Sequence, residues 1–180
     1  GNPPNPSVLG LSLNEGYETF VVYSYENEGH VDDSDAAKTD FAELLRTMQQ
    51  DTKEANPELA KQGYATIDLL GWAESPHYDS AGKKLYWAKR LKFSDTEDET
   101  LNYDVRVLGR SGYLVLTAVG GMDNLANVAK GCQELLKATE FVPGQQYGEF
   151  NPSLDKVAAY GIGGLIAGKV LLKAGLLKLL

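Results

Sequence analysis

Apolar and polar residues alternate along residues 84–93, where every odd-numbered position is apolar apart from Lys89. This period of two is typical of a β-strand with one face toward a core. The strand belongs to a hairpin over residues 71–93, whose turn at 79–82 has the sequence Asp-Ser-Ala-Gly. That sequence predicts a type I turn closing on a left-handed glycine at Gly82. Aromatic and β-branched residues predict four further strands, at 17–26, 64–74, 101–108 and 113–119.

Apolar residues recur at helical spacing in two stretches, which predicts an amphipathic helix in each. The first helix follows the acidic residues Asp32, Asp33 and Asp35, whose carboxylates are favourable at a helix N-terminus. Between the two stretches, an Asn-Pro pair at 56–57 predicts the start of a separate short helix that ends at Gly63. The apolar positions are Ala37, Phe41, Leu44, Leu45 and Met48 in the first stretch and Leu125, Val128, Ala129, Cys132, Leu135 and Leu136 in the second.

The order of strand, helix, four strands and helix predicts an α+β fold. We expect a mainly antiparallel sheet of about five strands flanked by helices, plus a C-terminal hydrophobic helix. The chain divides accordingly into an N-terminal loop segment at 1–16, a globular α+β domain at 17–142, a linker at 143–154 and a glycine-rich hydrophobic helix at 155–180.

The C-terminal segment has no acidic residue after Asp155, and glycines recur along it. Glycine costs roughly 1 kcal/mol relative to alanine in a helix, so a row of glycines indicates close helix packing. Its longest run without charge is shorter than the roughly 20 residues that a bilayer span needs. We therefore expect this segment to contact membrane lipid, a membrane protein or a second copy of the chain. The glycines are Gly161, Gly164, Gly168 and Gly175.

A formal net charge of −8 at pH 7 argues against nucleic acid as a partner, because phosphate backbones select basic surfaces. The single cysteine, Cys132, excludes an internal disulfide and a multi-thiolate metal site. Its place on the apolar side of a helix favours a buried small hydrophobe over a nucleophile. The glycines at 161–168 follow no strand, so they do not predict a dinucleotide site, and we expect no cofactor.

The hairpin carries the best candidate for a binding or acid/base site. Histidine is a common acid/base residue, and His77 lies in the same hairpin as Trp72, Tyr86, Trp87 and Lys89. The competing interpretation is a partly exposed turn histidine beside aromatic residues that pack within the sheet. These five residues are the predicted ligand-binding set.

Two further groups of polar residues have alternative interpretations. His30 and the acids Asp32, Asp33 and Asp35 offer nitrogen and oxygen ligands to a cation, but they lack the glycine and distal glutamate of an EF-hand loop, and acids at a helix start already explain them. Asn102, Asp104 and Arg106 alternate along one strand, which fits either a polar cleft or a solvated sheet face. No metal site and no catalytic residue is assigned, and the chain is not predicted to be an enzyme.

Four sequence blocks resemble a bacterial family of uncharacterised, membrane-anchored proteins with a domain of unknown function. The resemblance implies an exported soluble domain, hydrophobic C-terminal helices, and a place at the bacterial inner membrane with the soluble domain in the periplasm. The opening GNPPNPSVLG resembles a motif inside that domain, so we expect the chain to be a truncated or processed piece. The blocks are YENEGHVDDSDA (25–36), KQGYATIDLLGWAESPHYDSAGKKLYWAKRLKF (61–93), TLNYDVRVLGRSGYLVLTAV (100–119) and DKVAAYGIGGLIAGKVLLKAGL (155–176).

The sequence thus favours a membrane-anchored binding or scaffold domain that acts through protein-protein contacts. The alternative is a small-molecule-binding domain or enzyme whose site surrounds the hairpin tryptophans, Trp72 and Trp87, and His77. The two hypotheses differ in geometry, because the alternative needs the hairpin residues to line a single concave site.

Overall fold

An antiparallel sheet forms the centre of the computed structural model, which describes residues 8–9 and 20–168. The order across the sheet is first, second, sixth, fifth, fourth and third strand, so the last four strands form a meander. The α+β fold and the antiparallel sheet flanked by helices are confirmed. The predicted N-terminal loop, 1–16, lies outside the described residues apart from the first strand. The strands are β1 Val8–Leu9, β2 Phe20–Glu26, β3 Ile67–Asp79, β4 Lys84–Phe93, β5 Glu99–Leu108 and β6 Tyr113–Gly121.

Helices cover both faces of this sheet. The first and third helices pack on what we call the front face, where their apolar side chains join a core with Leu85, Trp87 and Leu91 of β4. The second helix packs on the opposite back face, in a core with Tyr103 and Val105 of β5. The alternation of side chains along each strand therefore supplies two separate cores. In the described part of the chain the α-helices are α1 Phe41–Lys61, α2 Leu125–Lys137 and α3 Ile162–Ala167.

The first helix begins at Phe41, farther along the chain than the acidic residues that were expected at its N-terminus. Its N-cap is Asp40, whose Oδ1 accepts hydrogen bonds from the backbone N–H groups of Ala42 and Glu43 at 2.9 and 3.0 Å. The prediction that the acids at 32–35 stand at the start of this helix is wrong. The carboxylates of Asp33 and Asp35 bind other parts of the chain, described below, and that of Asp32 accepts from the N–H of Ser34 at 2.7 Å.

α1 continues through Pro57, so the predicted break and short second helix are wrong. The Asn56 amide does not cap a helix. Its Nδ2 donates to the carbonyl of Ile67 and its Oδ1 accepts from the N–H of Ile67, both at 2.9 Å. These bonds fix α1 to the start of β3, and Leu59 is buried beyond them. Tertiary contacts thus offset the helical hydrogen bond that a proline removes.

The turn between β3 and β4 occupies residues 80–83, and its left-handed residue is Lys83, with φ of 54°. The predicted left-handed position at Gly82 is wrong, because the loop places that conformation directly before the return strand. Two contacts hold Lys83 there. Its carbonyl accepts from the N–H of Leu108 at 2.8 Å, and its ammonium group lies 2.8 Å from Asp33 Oδ2. These contacts offset the cost of left-handed backbone in a residue with a Cβ.

The predicted continuous helix over 155–180 is not found in the described residues. Residues 155–161 are not helical, α3 begins after the extended Gly161, and it ends at Gly168, whose φ of 65° is left-handed. A left-handed glycine is a common helix C-cap, because it lacks the Cβ that disfavours this conformation. Gly175 and the rest of the predicted helix, 169–180, lie outside the described residues.

The described part of the C-terminal segment, 155–168, packs on the sheet body. Val157 forms a parallel β-bridge with His30. The Arg110 guanidinium donates two hydrogen bonds to the Asp155 carboxylate, at 2.7 and 3.1 Å. The apolar face of α3 is buried in the front core. This part of the predicted membrane-proximal helix therefore belongs to the folded body.

Candidate functional site

The five residues of the predicted hairpin site lie on two faces of the sheet. Trp72 and Lys89 are directly opposite each other across β3 and β4, and they share the front face with Trp87. His77 and Tyr86 form the other cross-strand pair. Tyr86 packs with the back core. The structure therefore brings three of the five residues onto one face and separates the remaining pair from them.

The contacts of Trp72 and His77 explain their positions. The indole Nε1 of Trp72 donates to the carbonyl of Phe41 at 3.1 Å, which fixes the start of α1 to β3. The His77 ring is exposed and lies 6.4 Å from the Tyr86 ring, between centroids. His77 therefore lies on the opposite face of the sheet from Lys89.

The front face of β5 carries three buried polar residues, Asn102, Asp104 and Arg106, which expose 1%, 3% and 5% of their surface. The solvated sheet face considered for them is therefore wrong. β5 lies between β4 and β6, and central strands are covered on both faces in a sheet that has helices on each side.

Neighbouring strands add three more residues to this group, and the register explains how. Trp87 lies directly opposite Asp104, Lys89 lies opposite Asn102, and Thr117 of β6 lies opposite Asp104 on its other side. The six residues form one patch on the front face, which we call the sheet-face cluster. Its members are Trp87, Lys89, Asn102, Asp104, Arg106 and Thr117.

The two oxygens of Asp104 have different surroundings. Oδ1 accepts a hydrogen bond from Thr117 Oγ1 at 2.8 Å and two longer ones from the Arg106 guanidinium at 3.3 Å. Oδ2 accepts no hydrogen bond from the described residues, although the ammonium nitrogen of Lys89 lies 3.4 Å away. The contact between Lys89 and Asp104 is thus an ion pair without a well-aligned hydrogen bond.

Three polar atoms of the cluster are buried without a hydrogen-bond partner among the described residues: Trp87 Nε1, Asn102 Oδ1 and Asp104 Oδ2. Leaving a buried polar group unpaired costs about 1–3 kcal/mol, and native proteins pair nearly all such groups. The Arg106 guanidinium lies 4.9 Å from the centre of the Trp87 ring, whose Nε1–H is the only donor among these three atoms. The concentration of unpaired atoms on one patch marks the cluster as a candidate binding site.

The residues around His30 form a structural group. The His30 ring lies between the rings of Tyr147 and Phe150, with centroids 4.2 and 4.0 Å away. Its Nδ1 is 3.1 Å from the carbonyl of Arg110, so this nitrogen carries a hydrogen and donates. The stack joins the loop after β2 to the segment that precedes α3.

The acids beside His30 point to different partners. Asp33 Oδ2 accepts from the Tyr78 hydroxyl at 2.6 Å and from the Lys83 ammonium at 2.8 Å. Burial and the neighbouring Asp33 raise the pKa of Tyr78, so its hydroxyl remains a donor. The Asp35 carboxylate accepts from the first two N–H groups of α3, at 2.9 and 3.1 Å. The acids therefore do not converge on one cation position.

The glycines of the C-terminal segment have reasons within the chain. A Cβ at Gly161 would lie 2.7 Å from Asp35 Oδ1, and one at Gly164 would lie 2.6 Å from the Cβ of Tyr160. Gly168 supplies the left-handed C-cap of α3. These contacts account for three of the four glycines, and Gly175 lies beyond the described residues.

Fold and site together define an α+β sheet domain with a charged polar cluster on a helix-covered face. The chain belongs to the family described as "Protein of unknown function (DUF2167)", whose model matches residues 1–180. No curated protein and no solved structure matches the chain. Within residues 8–9 and 20–168, no helix combines the length and the apolar character that crossing a membrane requires.

Thr117 is the member of the cluster that sequence reasoning missed. The alternation of Asn102, Asp104 and Arg106 and the interruption of an apolar face at Lys89 were both visible in the sequence. Their meeting depends on the register between β4, β5 and β6, which fixes which residues lie opposite one another. Threonine is common in β-strands, so the sequence alone did not indicate that Thr117 would join a buried polar cluster.

Proposed function

We propose that this domain binds a small molecule at the sheet-face cluster. The observation that supports the proposal is a group of three buried polar atoms on one patch that make no hydrogen bond to the described residues; one of them, Asp104 Oδ2, is ion-paired with Lys89, and Arg106 lies beside the group. The proposal keeps Trp87 and Lys89 from the predicted hairpin site and replaces its other members with residues of β5 and β6.

The energetics of buried charge favour this function over a purely structural role. Well-packed apolar residues are often as stabilising as a buried ion pair, or more so, because desolvation of the charges is costly. A structural network also satisfies all its members, whereas this one leaves Trp87, Asn102 and Asp104 each with an unpaired atom. Sites that serve binding commonly lower the stability of the protein that carries them.

A comparison of two variants tests this function without knowledge of the ligand. Asn102→Val removes an unpaired oxygen, so we expect the free energy of unfolding in urea to stay equal or to rise by about 1 kcal/mol. Thr117→Val is the matched control, since it deletes a hydroxyl that donates to Asp104, and it should lower the same quantity by about 1 kcal/mol. If Asn102→Val destabilises the protein as much as the control does, the cluster is structural and the proposed site is wrong.

We also propose membrane attachment through residues 169–180, outside the cytoplasm at a bacterial inner membrane. The support is the sequence KVLLKAGLLKLL, in which every residue other than lysine, alanine and glycine is leucine or valine. Lysines of such a segment reach the headgroups while its leucines enter the acyl region. Protein-protein contacts through the same residues, with a membrane protein or a second copy, are the scaffold form of this proposal.

Vesicle flotation distinguishes attachment to lipid from contact between copies of the chain. The chain should float with phosphatidylcholine vesicles containing phosphatidylglycerol, and a Leu172→Asp, Leu176→Asp variant should not. A chain that stays unbound to vesicles but forms a detergent-resistant oligomer, lost in the same variant, would instead support contact between copies. Absence of both behaviours contradicts the attachment proposal and leaves the small-molecule site unaffected.

A further inference from the structure

We infer that the ligand of the sheet-face cluster is a small anion, with a carboxylate or phosphate group that carries a hydroxyl beside it. The inference rests on the proposed function and adds the chemical class of the ligand. It follows from the charge of the cluster, its surplus of hydrogen-bond donors and the positions of its two unpaired acceptors.

The charge of the cluster is the first argument. Lys89 and Arg106 each carry a positive charge, and Asp104 is the carboxylate that pairs with both of them, so the group has a formal charge of +1. A buried charge without a counter-ion is costly, and an anionic ligand would supply the missing one. A cationic ligand would meet two cations at close range, and the protein's net charge of −8 argues against a polyanion such as nucleic acid.

The donors of the cluster are the second argument. The indole Nε1 of Trp87 has no acceptor among residues 20–168, and the Lys89 ammonium group, which has three N–H bonds, reaches only an ion-pair distance from Asp104. Arg106 uses Nη1 on Asp104 and on the carbonyl of Val105, and Nη2 on Asp104. Its Nε–H makes no hydrogen bond to the described residues. A ligand with several acceptor oxygens fits this surplus, as carboxylates and phosphates do.

The unpaired acceptors are the third argument. Asn102 Oδ1 and Asp104 Oδ2 are both buried and accept no hydrogen bond from the described residues, although Lys89 forms an ion pair with Asp104 Oδ2. They lie on alternate positions of β5, on the same face and next to Lys89 and Trp87. A bare anion offers no hydrogen to them, whereas a hydroxyl beside the anionic group donates one. The hydroxyl is therefore part of the inferred ligand.

Access to the cluster is on the Lys89 side. The Lys89 side chain keeps 18% of its surface exposed, and Thr117 is also partly exposed, whereas Asn102, Asp104 and Arg106 are buried. The anionic group would thus meet the ammonium of Lys89 first and the guanidinium of Arg106 behind it. This order makes Lys89 the residue whose charge most directly controls binding.

Matched probes test the class of ligand. In a Trp72→Phe variant, Trp87 is the only tryptophan, so its fluorescence reports on the cluster. We expect glycolate and inorganic phosphate to change this fluorescence saturably at constant ionic strength, while ethylene glycol, the neutral counterpart of glycolate, has no effect. Glycolate should bind more tightly than acetate, which lacks the hydroxyl.

Variants that remove a positive and a negative charge from the cluster should shift the Kd in opposite directions. Lys89→Met should raise the Kd for glycolate at least tenfold, and Lys92→Met, which removes a lysine from the same strand outside the cluster, should leave it unchanged. Asp104→Asn should lower the Kd for acetate, because it removes the competing negative charge and acetate has no hydroxyl that could use the Asp104 acceptor. Thermal unfolding of each variant without probe shows whether it is folded.

The outcomes distinguish this inference from the proposed function. Equal binding of ethylene glycol and glycolate, or weaker acetate binding by Asp104→Asn in a folded protein, overturns the anionic class while a small-molecule site remains. No response to either glycolate or phosphate also overturns it. Failure of the proposed function itself would appear separately, as a loss of stability in Asn102→Val.

Discussion

The carboxylate of Asp35 accepts hydrogen bonds from the N–H groups of Ile162 and Gly163, at 2.9 and 3.1 Å, and so caps a helix that begins 127 residues later in the chain. The acid was expected to favour the helix that follows it directly. It holds α3 on the front face instead, together with the ion pair of Arg110 and Asp155. The cap is therefore a tertiary contact that fastens the C-terminal segment.

Removal of this cap should loosen α3. Asp35→Ala leaves two helix N–H groups without their acceptor, so we expect the free energy of unfolding in urea to fall by about 1–2 kcal/mol. Gly161→Ala should cost a similar amount, because its Cβ would lie 2.7 Å from the same carboxylate and displace it.

The double variant tests whether the two effects share one cause. Once Asp35 is alanine, the added methyl group at Gly161 meets no carboxylate, so the combined loss should be smaller than the sum by at least about 0.5 kcal/mol. Asp35→Asn keeps an acceptor oxygen and serves as the mild control. Additive losses in the double variant would show that Gly161 is required for another reason.

The pairing of Asp33 with Lys83 and Tyr78 should make stability depend on pH. Burial opposes ionisation of Asp33, but hydrogen bonds from Lys83 and Tyr78 outweigh it and lower the pKa of the carboxyl. A lowered folded pKa contributes stability above the unfolded pKa of about 3.9 and loses it as pH falls through the folded value. Asp33→Asn should therefore cost about 1–3 kcal/mol at pH 7 and progressively less below about pH 5.

Urea titrations at several pH values measure this difference between wild type and variant. Asp95→Asn, in the exposed acidic loop, controls for the loss of one negative charge. Lys83→Met should reproduce the pH dependence of Asp33→Asn, since it removes the other partner of the pair. A cost of Asp33→Asn that stays constant down to pH 2 contradicts the assignment.

Cys132 should be unreactive until the protein unfolds. Burial raises the pKa of its thiol to about 11. At pH 8 only about one thiol in a thousand would then be ionised, and the side chain is buried besides. We expect labelling by a disulfide reagent to follow the urea unfolding transition.

An exposed cysteine on the same helix is the control. Gln133→Cys in a Cys132→Ala background places a thiol on the solvent side of α2 and should react at once in the folded protein. Prompt labelling of wild-type Cys132 without denaturant would mean that α2 opens locally far more easily than its packing on the back core indicates.

Local patterns predicted much of the fold. The alternation along β4 placed Leu85, Trp87 and Leu91 on one face, and the structure buries all three in the front core. The helical spacing around Cys132 predicted α2 and its buried side. Signals near helix ends were less reliable. Asn56 and Pro57 look like a helix start, yet the Asn56 amide binds the backbone of Ile67, so the helix continues.

The candidate site depended on strand register. Asn102, Asp104 and Arg106 occupy alternate positions in the sequence, but this alternation fits a solvent-exposed face and a buried face of the sheet equally. The position of β5 at the centre of the sheet buried them, and pairing with β4 and β6 added Trp87, Lys89 and Thr117 from outside that strand. His77 and Lys89, on the two strands of the hairpin, belong to different faces because register shifts in β3 place His77 opposite Tyr86 of the back core.

The sequence by itself determined strands β2 to β6, the amphipathic character of α1 and α2 and the acidic character of the chain, because these depend on residues within a few positions of one another. Tertiary structure decided which polar groups are buried together and which carboxylate caps which helix. Those outcomes depend on the order of strands and on contacts between residues far apart in the chain. Burial and pairing set the energy of a charged group, so chemistry at the cluster emerged only once the sheet was assembled.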